Sequence, residues 1–396
     1  MRSKGDMGRA RPLVAVNVRG AEVVASGVSR VIANLLEQLA SDRWDWDLVL
    51  YTQRALDEGG RLGSVIRYAN GARNVRVRVL GGGTVGFELW RIQRALAKDR
   101  PDVMINPTPE SLVGGRIPTI VFAHDTLPEI ISDKMPLRLV CWRALGMYKR
   151  SLRRAVRVIC PSENTKDDII RFYSLEDCRI VVVPYAVDQG ITRIEMGRAR
   201  ERVRQRFEIR GRYMFMVNTA YFESFVQAYA AYLEVAGATA CRLVVLGRPQ
   251  PFARYEALLA RLGASGHVDW LEGVSDEELS NLYSGAVAFV CPSYYEGFGF
   301  APLEAMTCGT PTVAYATSSL PEVVGEGGIL VPPDDTNAMV EVLVSLCSEE
   351  NGTMRACWSE RALARAALFS WDTAGKSIGN IVLAALGASE SGRWPA

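Results

Sequence analysis

The sequence predicts an α/β protein built from two doubly wound, Rossmann-like halves with a cleft between them. Three observations predict it. Short apolar runs alternate with helical patterns from one end to the other, as a parallel sheet covered on both faces requires. The alternation restarts after Val187-Asp188. A chain of 396 residues, 48% of them hydrophobic, suits two domains of ordinary size with full cores.

In order, Leu13–Val16 reads as a buried first strand. From residue 28 to 40, apolar side chains at Val28, Val31, Ile32, Leu35, Leu36 and Leu39 follow helical spacing. Strands are expected at 48–51 and 75–80, a helix over 87–98, and a strand at 103–105. In the second half, strands are expected at 213–217, 243–246, 268–270 and 287–290. Helices are expected up to about 235, over 251–262 and over 276–282. A last helical stretch follows Ser370-Trp371-Asp372-Thr373-Ala374. Right-handed crossovers would put a ligand at the carboxyl ends of the strands.

The formal charge of +2 argues against nucleic acid as a partner. Eight scattered cysteines without a C-x-x-C pair read as thiols of a reducing compartment, not as a disulfide or zinc framework. Two histidines, His124 and His267, are too few for a histidine-rich metal site. No Asp-x-Asp stands at a strand end, so no metal is expected. The polar start of the sequence lacks the apolar core of a signal peptide. No eighteen-residue apolar run predicts a membrane span. The expected compartment is the cytoplasm or the inner face of a membrane. Residues 135–158 carry Arg138, Arg143, Lys149, Arg150, Arg153, Arg154 and Arg157 with no acid. That is either a basic surface for anionic lipid or a polyanion, or a solvated helix face above a core.

The chemistry concentrates in Tyr295-Glu296-Gly297-Phe298-Gly299-Phe300-Ala301-Pro302-Leu303-Glu304. An apolar strand precedes this loop and a helix follows it. Backbone N–H groups and a positive helix end at the mouth of a sheet bind anions. Carboxylates on either side of the loop accept hydrogen bonds from hydroxyls. Together they suit a nucleotide-sugar. An ordinary strand-turn-helix with a capping Glu has the same spacing.

The stretch PSYYEGFGFAPLEAMTCGTPTVAYATSSLPEVVGEGGILVPPDD resembles the signature region of glycosyltransferase family 4 (GT4), in its mannosyltransferase-like branch. IVFAHDTLP from Ile120, VICPSENTKDDII from Val158 with VVVPYAVD from Val181, and LEGVSDEEL from Leu271 match in the same order. The resemblance implies the GT-B fold, two Rossmann-like domains facing across a cleft. The acceptor-side domain would hold 1–190 and a returning helix at about 371–390. The nucleotide-sugar domain would hold 191–370. It implies a retaining, metal-independent, front-face hexosyltransferase without a cofactor. The donor is GDP-mannose as first guess and a UDP-sugar as second. The acceptor is a glycan, a lipid-linked molecule or a small molecule.

The implied roles fall residue by residue. Glu304 would hold the ribose hydroxyls, and Glu296 a hydroxyl of the donor sugar. The N–H groups of Gly297, Phe298 and Gly299 would face the sugar and distal phosphate, with the Phe298 side chain in the core. His124, within His-Asp-x-x-Pro, would touch the donor sugar near the scissile bond. Asp125 either orients His124 or caps a turn. Gly27 lies in a loop that would approach the phosphates, or simply starts a helix. Gly273 and Val274 would line the base pocket, with Arg248 beside it.

One departure stands out. The family usually carries an Arg and a Lys just after the first strand of the second domain, where they neutralise the diphosphate. Here the segment is Val217-Asn218-Thr219-Ala220-Tyr221-Phe222-Glu223-Ser224, and no Lys or Arg occurs between Arg212 and Arg242. Arg19, Arg30 or Arg248 would then substitute, or Asn218 and Thr219 would bind phosphate as neutral donors. The alternative is a non-catalytic partner or binding subunit. A sugar-nucleotide epimerase or a phosphorylase of the same fold is a third reading.

Overall fold

The structure is a computed structural model and describes residues 11–22, 27–56, 63, 74–83, 86–109, 117–130, 146–217 and 220–391. The chain divides into two compact units, Met1–Tyr185 with Trp371–Ala396, and Ala186–Ser370.

The first unit is built on seven strands: β1 (Leu13–Asn17), β2 (Asp47–Thr52), β3 (Val75–Val79), β4 (Val103–Asn106), β5 (Thr119–Phe122), β6 (Arg157–Cys160) and β7 (Ile180–Val182). They pair in the order β3-β2-β1-β4-β5-β6-β7, every pair parallel. β1, β4 and β5 are buried along their whole length, which is why they read as unbroken apolar runs without alternation. The chain steps outward from β1 to β3 and returns to β4, so the order reverses between β1 and β4.

The helix Gly27–Leu39 buries Val31, Ile32, Leu35, Leu36 and Leu39, the stripe its spacing predicts. Ser162 caps the helix Glu163–Tyr173 by accepting from the Thr165 amide at 3.1 Å. The segment expected as one helix over 87–98 is instead a π-helical turn, Phe87–Arg91, running into the α-helix Ile92–Asp99. The wide turn carries two successive side chains, Phe87 and Glu88, into the interior, both 0% exposed. The last helix, Trp371–Ser391, lies against the end of Gly27–Leu39 and the segment after it. A Cβ on Gly375 would stand 2.6 Å from Gln38, and one on Gly379 would stand 2.0 Å from the indole of Trp44. Only glycine allows that approach.

The second unit is built on β8 (Tyr213–Val217), β9 (Arg242–Leu246), β10 (Val268–Leu271), β11 (Ala288–Cys291), β12 (Thr312–Tyr315) and β13 (Ile329–Val331). Its sheet runs β10-β9-β8-β11-β12-β13, again all parallel. Its order reverses between β8 and β11. One face packs Phe215, Tyr283 and Phe289 edge to face, with ring centroids 5.1 to 6.1 Å apart. The other face packs Phe222, Phe225 and Tyr229 of the helix Phe222–Ala236 against Leu243 and Val245.

Candidate functional site

In open parallel sheets, ligands bind outside the carboxyl ends of the strands, where the strand order reverses. In the second unit that place is the end of β11, where the chain runs through Pro292–Gly299 into the helix Phe300–Thr307. The loop is braced from below by two serines. Ser318 accepts from the Glu296 amide at 2.8 Å and donates to the Glu296 carbonyl at 2.7 Å. The hydroxyl of Ser319, fully buried, lies 2.8 Å from the carbonyls of both Glu296 and Phe298 and shares its one proton between them. In a planar trans peptide the C=O and the next N–H point oppositely. With those carbonyls turned to Ser319, the amides of Gly297 and Gly299 point to the other side. Gly299 has φ +107°, and a Cβ there would stand 3.2 Å from Leu320 and 3.3 Å from Pro302. The side chain of Phe298 is buried, edge-on to Phe300 and Phe369.

Both glutamates are held. The Ser293 hydroxyl donates to Oε1 of Glu296 at 2.8 Å. The Tyr283 hydroxyl donates to Oε2 of Glu304 at 2.9 Å, and Glu304 is only 4% exposed. Burial pushes the nearby thiols of Cys291 and Cys308 up to about 12, so both stay protonated and are not nucleophiles. The Tyr221 hydroxyl is also pushed up, first by burial and then by the Glu296 carboxylate.

Beside this loop, Gly273 takes φ +65° after β10, and Val274 packs its side chain on the core. Ser275 then opens the helix Asp276–Gly285 with a reciprocal capping box to Glu278. Arg248 follows β9. It is exposed, its guanidinium lies 4.0 Å from the ring centre of Phe252, and it pairs with no carboxylate among the described residues. Arg248, Val274, Glu296, Gly297, Phe298, Gly299 and Glu304 thus share one edge of the second unit. Asn218 and Thr219, at the end of β8, lie outside the described residues.

In the first unit, His124 sits just past β5, with both ring nitrogens in use. Nε2 is 2.6 Å from the Pro107 carbonyl and Nδ1 is 2.8 Å from the Tyr185 hydroxyl. A carbonyl only accepts, so Nε2 carries the proton and Nδ1 accepts from Tyr185. Burial lowers the imidazole to about 4, against the opposing pull of the Pro107 carbonyl. The ring is neutral near pH 7. Tyr185 in turn stacks on Trp371 at 5.9 Å. Asp125 accepts a 2.6 Å bond from Tyr148 through its backbone carbonyl. Gly27 is the first residue of its helix and is exposed; residues 23–26 before it lie outside the described residues.

Arg19 does not offer a free cation. Its guanidinium makes a 2.5 Å ion pair with the buried Glu88, and Asn17 reaches Glu88 at 3.4 Å and Asn106 at 3.2 Å. This polar cluster fills the ends of β1 and β4, the first unit's reversal point. Arg30 is engaged as well. Sequence reasoning missed Tyr283, Ser293, Ser318, Ser319, Tyr185 and Glu88. Each acts by supporting a recognised group, and only Ser293 lies near its partner in sequence.

Two family models match the chain. Residues 25–190 match Glycosyltransferase Family 4, and 216–365 match Glycosyl transferases group 1. O-antigen chain mannosyltransferase B of Escherichia coli is 43% identical over 116 residues, 29% of this chain and 30% of that one. The MMP alpha-(1->4)-mannosyltransferase of Mycolicibacterium hassiacum is 32% identical over 230 residues, 57% of this chain and 54% of that one. O-antigen chain mannosyltransferase RfbU of Salmonella typhimurium is 26% identical over 249 residues, 63% of this chain and 66% of that one. The matches thus span between about a third and two thirds of these relatives' length. Solved structures that share the fold include the following two. WaaG, a glycosyltransferase involved in lipopolysaccharide biosynthesis, aligns with TM-score 0.68 and 17% identity, over 93% of this chain and 99% of that one. Anabaena HepE, solved with UDP and glucose, aligns with TM-score 0.69 and 18% identity, over 94% and 99%.

Proposed function

Because the chain belongs to glycosyltransferase family 4, we propose that it is a retaining hexosyltransferase drawing on a nucleotide-sugar. Mannose from GDP-mannose is the first choice, since relatives in three organisms are named mannosyltransferases. A UDP-sugar is the second, since a structural neighbour holds UDP. The acceptor is a glycan, a lipid-linked molecule or a small molecule.

The observation that carries the proposal is the braced loop between Glu296 and Glu304 at the reversal point of the second unit. The Glu304 carboxylate takes the ribose hydroxyls. Glu296, fixed by Ser293, takes a hydroxyl of the sugar. The amides of Gly297 and Gly299, at the positive end of the helix Phe300–Thr307, take phosphate oxygen. The bond from the anomeric carbon to the phosphate oxygen breaks, and the acceptor oxygen bonds to that carbon on the same face. The acceptor's proton passes to the departing phosphate. The protein's part is orientation and charge stabilisation. Arg248 is the candidate for the cation that the segment after β8 lacks. His124, neutral and held on both nitrogens, positions the strand-end loop and is not a base.

Contact with an anionic membrane is supported by the helix Met147–Arg154. It buries Met147, Ser151 and Leu152 and exposes Lys149, Arg150, Arg153 and Arg154. Residues 135–145 of that basic stretch lie outside the described residues. No described helix is long and apolar enough to cross a membrane.

The missing Arg/Lys pair favours a second possibility, a nucleotide-binding but non-catalytic subunit. A melting panel of GDP, UDP, ADP, dTDP and CMP with their sugar conjugates, on wild type and Glu304→Ala, tests the donor site. Ligand at 100 times its Kd stabilises by about 2.7 kcal/mol. A shift with one nucleotide, lost in Glu304→Ala, supports the site, and its absence with every nucleotide refutes it. Release of that nucleotide on sugar transfer, or its failure, separates enzyme from binding subunit.

A further inference from the structure

A groove of about 640 Å³ runs along the first unit between β3 and the helix Ile92–Asp99. Its walls carry Arg78, Arg91, Arg94 and Lys98, together with Trp90, and no acidic residue among the described ones lines it. Trp90, Arg94 and Lys98 are four residues apart and share one helix face. On the opposite face Ile92 and Leu96 are buried, while the buried Ala95 lines the groove. Trp90 is 69% exposed, which leaves its ring open to solvent beside the cations.

The groove is built, not incidental. Arg91 donates to the Leu80 carbonyl at 2.5 Å and lies across the loop after β3. Gly82 leaves room for it: a Cβ there would stand 2.7 Å from Arg91 Nε, and the arginine side chain would have to shift. Arg78 is tied to Asp99, which also accepts from Tyr51 at 2.8 Å. Arg94 and Lys98 have no acidic partner among the described residues. The local balance is therefore positive, on a chain whose overall charge is only +2.

The groove is separate from the strand end that carries His124. β3 is the edge strand, four places from β5 in the sheet. At 4.8 Å per strand that is about 19 Å. A ligand here is not the sugar being transferred.

We propose that this groove binds an anionic oligosaccharide, a stretch of acceptor glycan bearing phosphate or carboxylate groups. Trp90 stacks on a sugar ring. Arg91 and Arg94 bind the acid groups as planar forks and Lys98 as a point charge. The role as acceptor rests on the transferase proposal; the binding itself does not. A glycan chain is favoured over a bilayer because the cations and the indole line a concavity, which a flat lipid surface does not enter.

The test is direct binding, without transfer. Tetragalacturonate and phosphopentamannose are titrated into the full chain by calorimetry, with maltotetraose as the neutral control and phosphatidylglycerol vesicles as a separate arm. At least one anionic probe is expected to bind, weakening with salt, while maltotetraose does not. Trp90→Ala, and Arg94→Ser with Lys98→Ser, should each weaken binding by about tenfold or more. These side chains are exposed, and an unchanged nucleotide-induced melting shift reports that the variants fold and that the donor site is intact. No binding of either anionic probe, or binding indifferent to all three substitutions, overturns the proposal. So does sedimentation with the vesicles that depends on Trp90 in a chain that binds neither saccharide. Loss of the nucleotide shift in wild type with the saccharide still bound would sink the transferase proposal alone.

Discussion

The hydroxyl of Tyr283 donates a 2.9 Å hydrogen bond to Oε2 of Glu304 within the core of the second unit. A carboxylate at 4% exposure is tolerated because such a donor is supplied. The bond also decides which way the carboxylate faces. Tyr283→Phe should therefore weaken nucleotide binding by about 3- to 10-fold and lower stability by about 1–3 kcal/mol. Glu304→Ala should abolish nucleotide binding. Calorimetry with the preferred nucleotide and urea unfolding measure the two effects separately. Equal affinity in wild type and Tyr283→Phe would show that the tyrosine does not orient the carboxylate.

Arg248 carries the second prediction. In its proposed role, as the cation that faces a departing diphosphate, it should matter more to turnover than to binding. Arg248→Gln is expected to lower kcat by roughly 10²–10³ with a small change in KM, and Arg248→Lys should recover part of the loss. Unchanged turnover in Arg248→Gln would move the search to residues 218–219.

His124 gives a pH prediction. Its folded value, about 4, lies below the ordinary 6.5. Above pH 6.5 the ring is neutral in both states and its contribution to stability is complete. As pH falls from 6.5 towards 4, the unfolded chain binds a proton that the folded chain refuses, and stability is lost. The full loss is about 3 kcal/mol. Urea unfolding of wild type and His124→Gln from pH 4 to 8 isolates this term, since the other titrating groups are common to both. Parallel pH profiles would show that the folded imidazole titrates normally.

Ser319 tests the brace under the glycine loop. Ser319→Ala removes the hydroxyl that lies 2.8 Å from the Phe298 carbonyl, while Ser318 still reaches Glu296. The expected cost is about 1–3 kcal/mol in stability and about a tenfold fall in kcat/KM, because a loosened loop misplaces its amides. Steady-state kinetics, with circular dichroism as a folding control, will settle it. A stable variant with full activity would mean that the loop holds its shape without the serine.

Gly379 tests the seat of the last helix. Gly379→Ala sets a methyl group against the indole of Trp44, which is stacked on Trp46 at 4.9 Å and has little room to yield. The predicted loss is about 1–3 kcal/mol. Gly387→Ala, where a Cβ meets nothing within 4 Å, is the control for helix propensity alone, which favours alanine by up to about 1 kcal/mol. A gain in Gly379→Ala equal to that in Gly387→Ala would show that the contact with Trp44 imposes no packing cost.

How far the sequence could be read depended on the range of each interaction. Strand positions follow from local apolar runs, so β1, β4 and β8 to β11 stand where the sequence puts them, whereas their order across each sheet comes from the structure. The Glu296–Glu304 loop is contiguous and was legible as a unit. The π-turn at Phe87 was not, because what draws Glu88 inward is Arg19, 69 residues away. Nor was the tautomer of His124, fixed by Pro107 and Tyr185 at separations of 17 and 61 residues. Arg19 looked available as a phosphate cation until its buried partner was seen. Local pattern fixes which backbone reaches the sheet edge. Polar partners from distant segments fix what each side chain there can do.

The first unit takes its last helix from residues 371–391, after the whole of the second unit has been made. As the chain leaves the ribosome, the second unit can close as one uninterrupted segment. Its predecessor must wait with Trp44, Gln38 and one flank of the helix Gly27–Leu39 uncovered until the final turns emerge. Synthesis order and completion order are therefore inverted: the half made first is the last to bury its core.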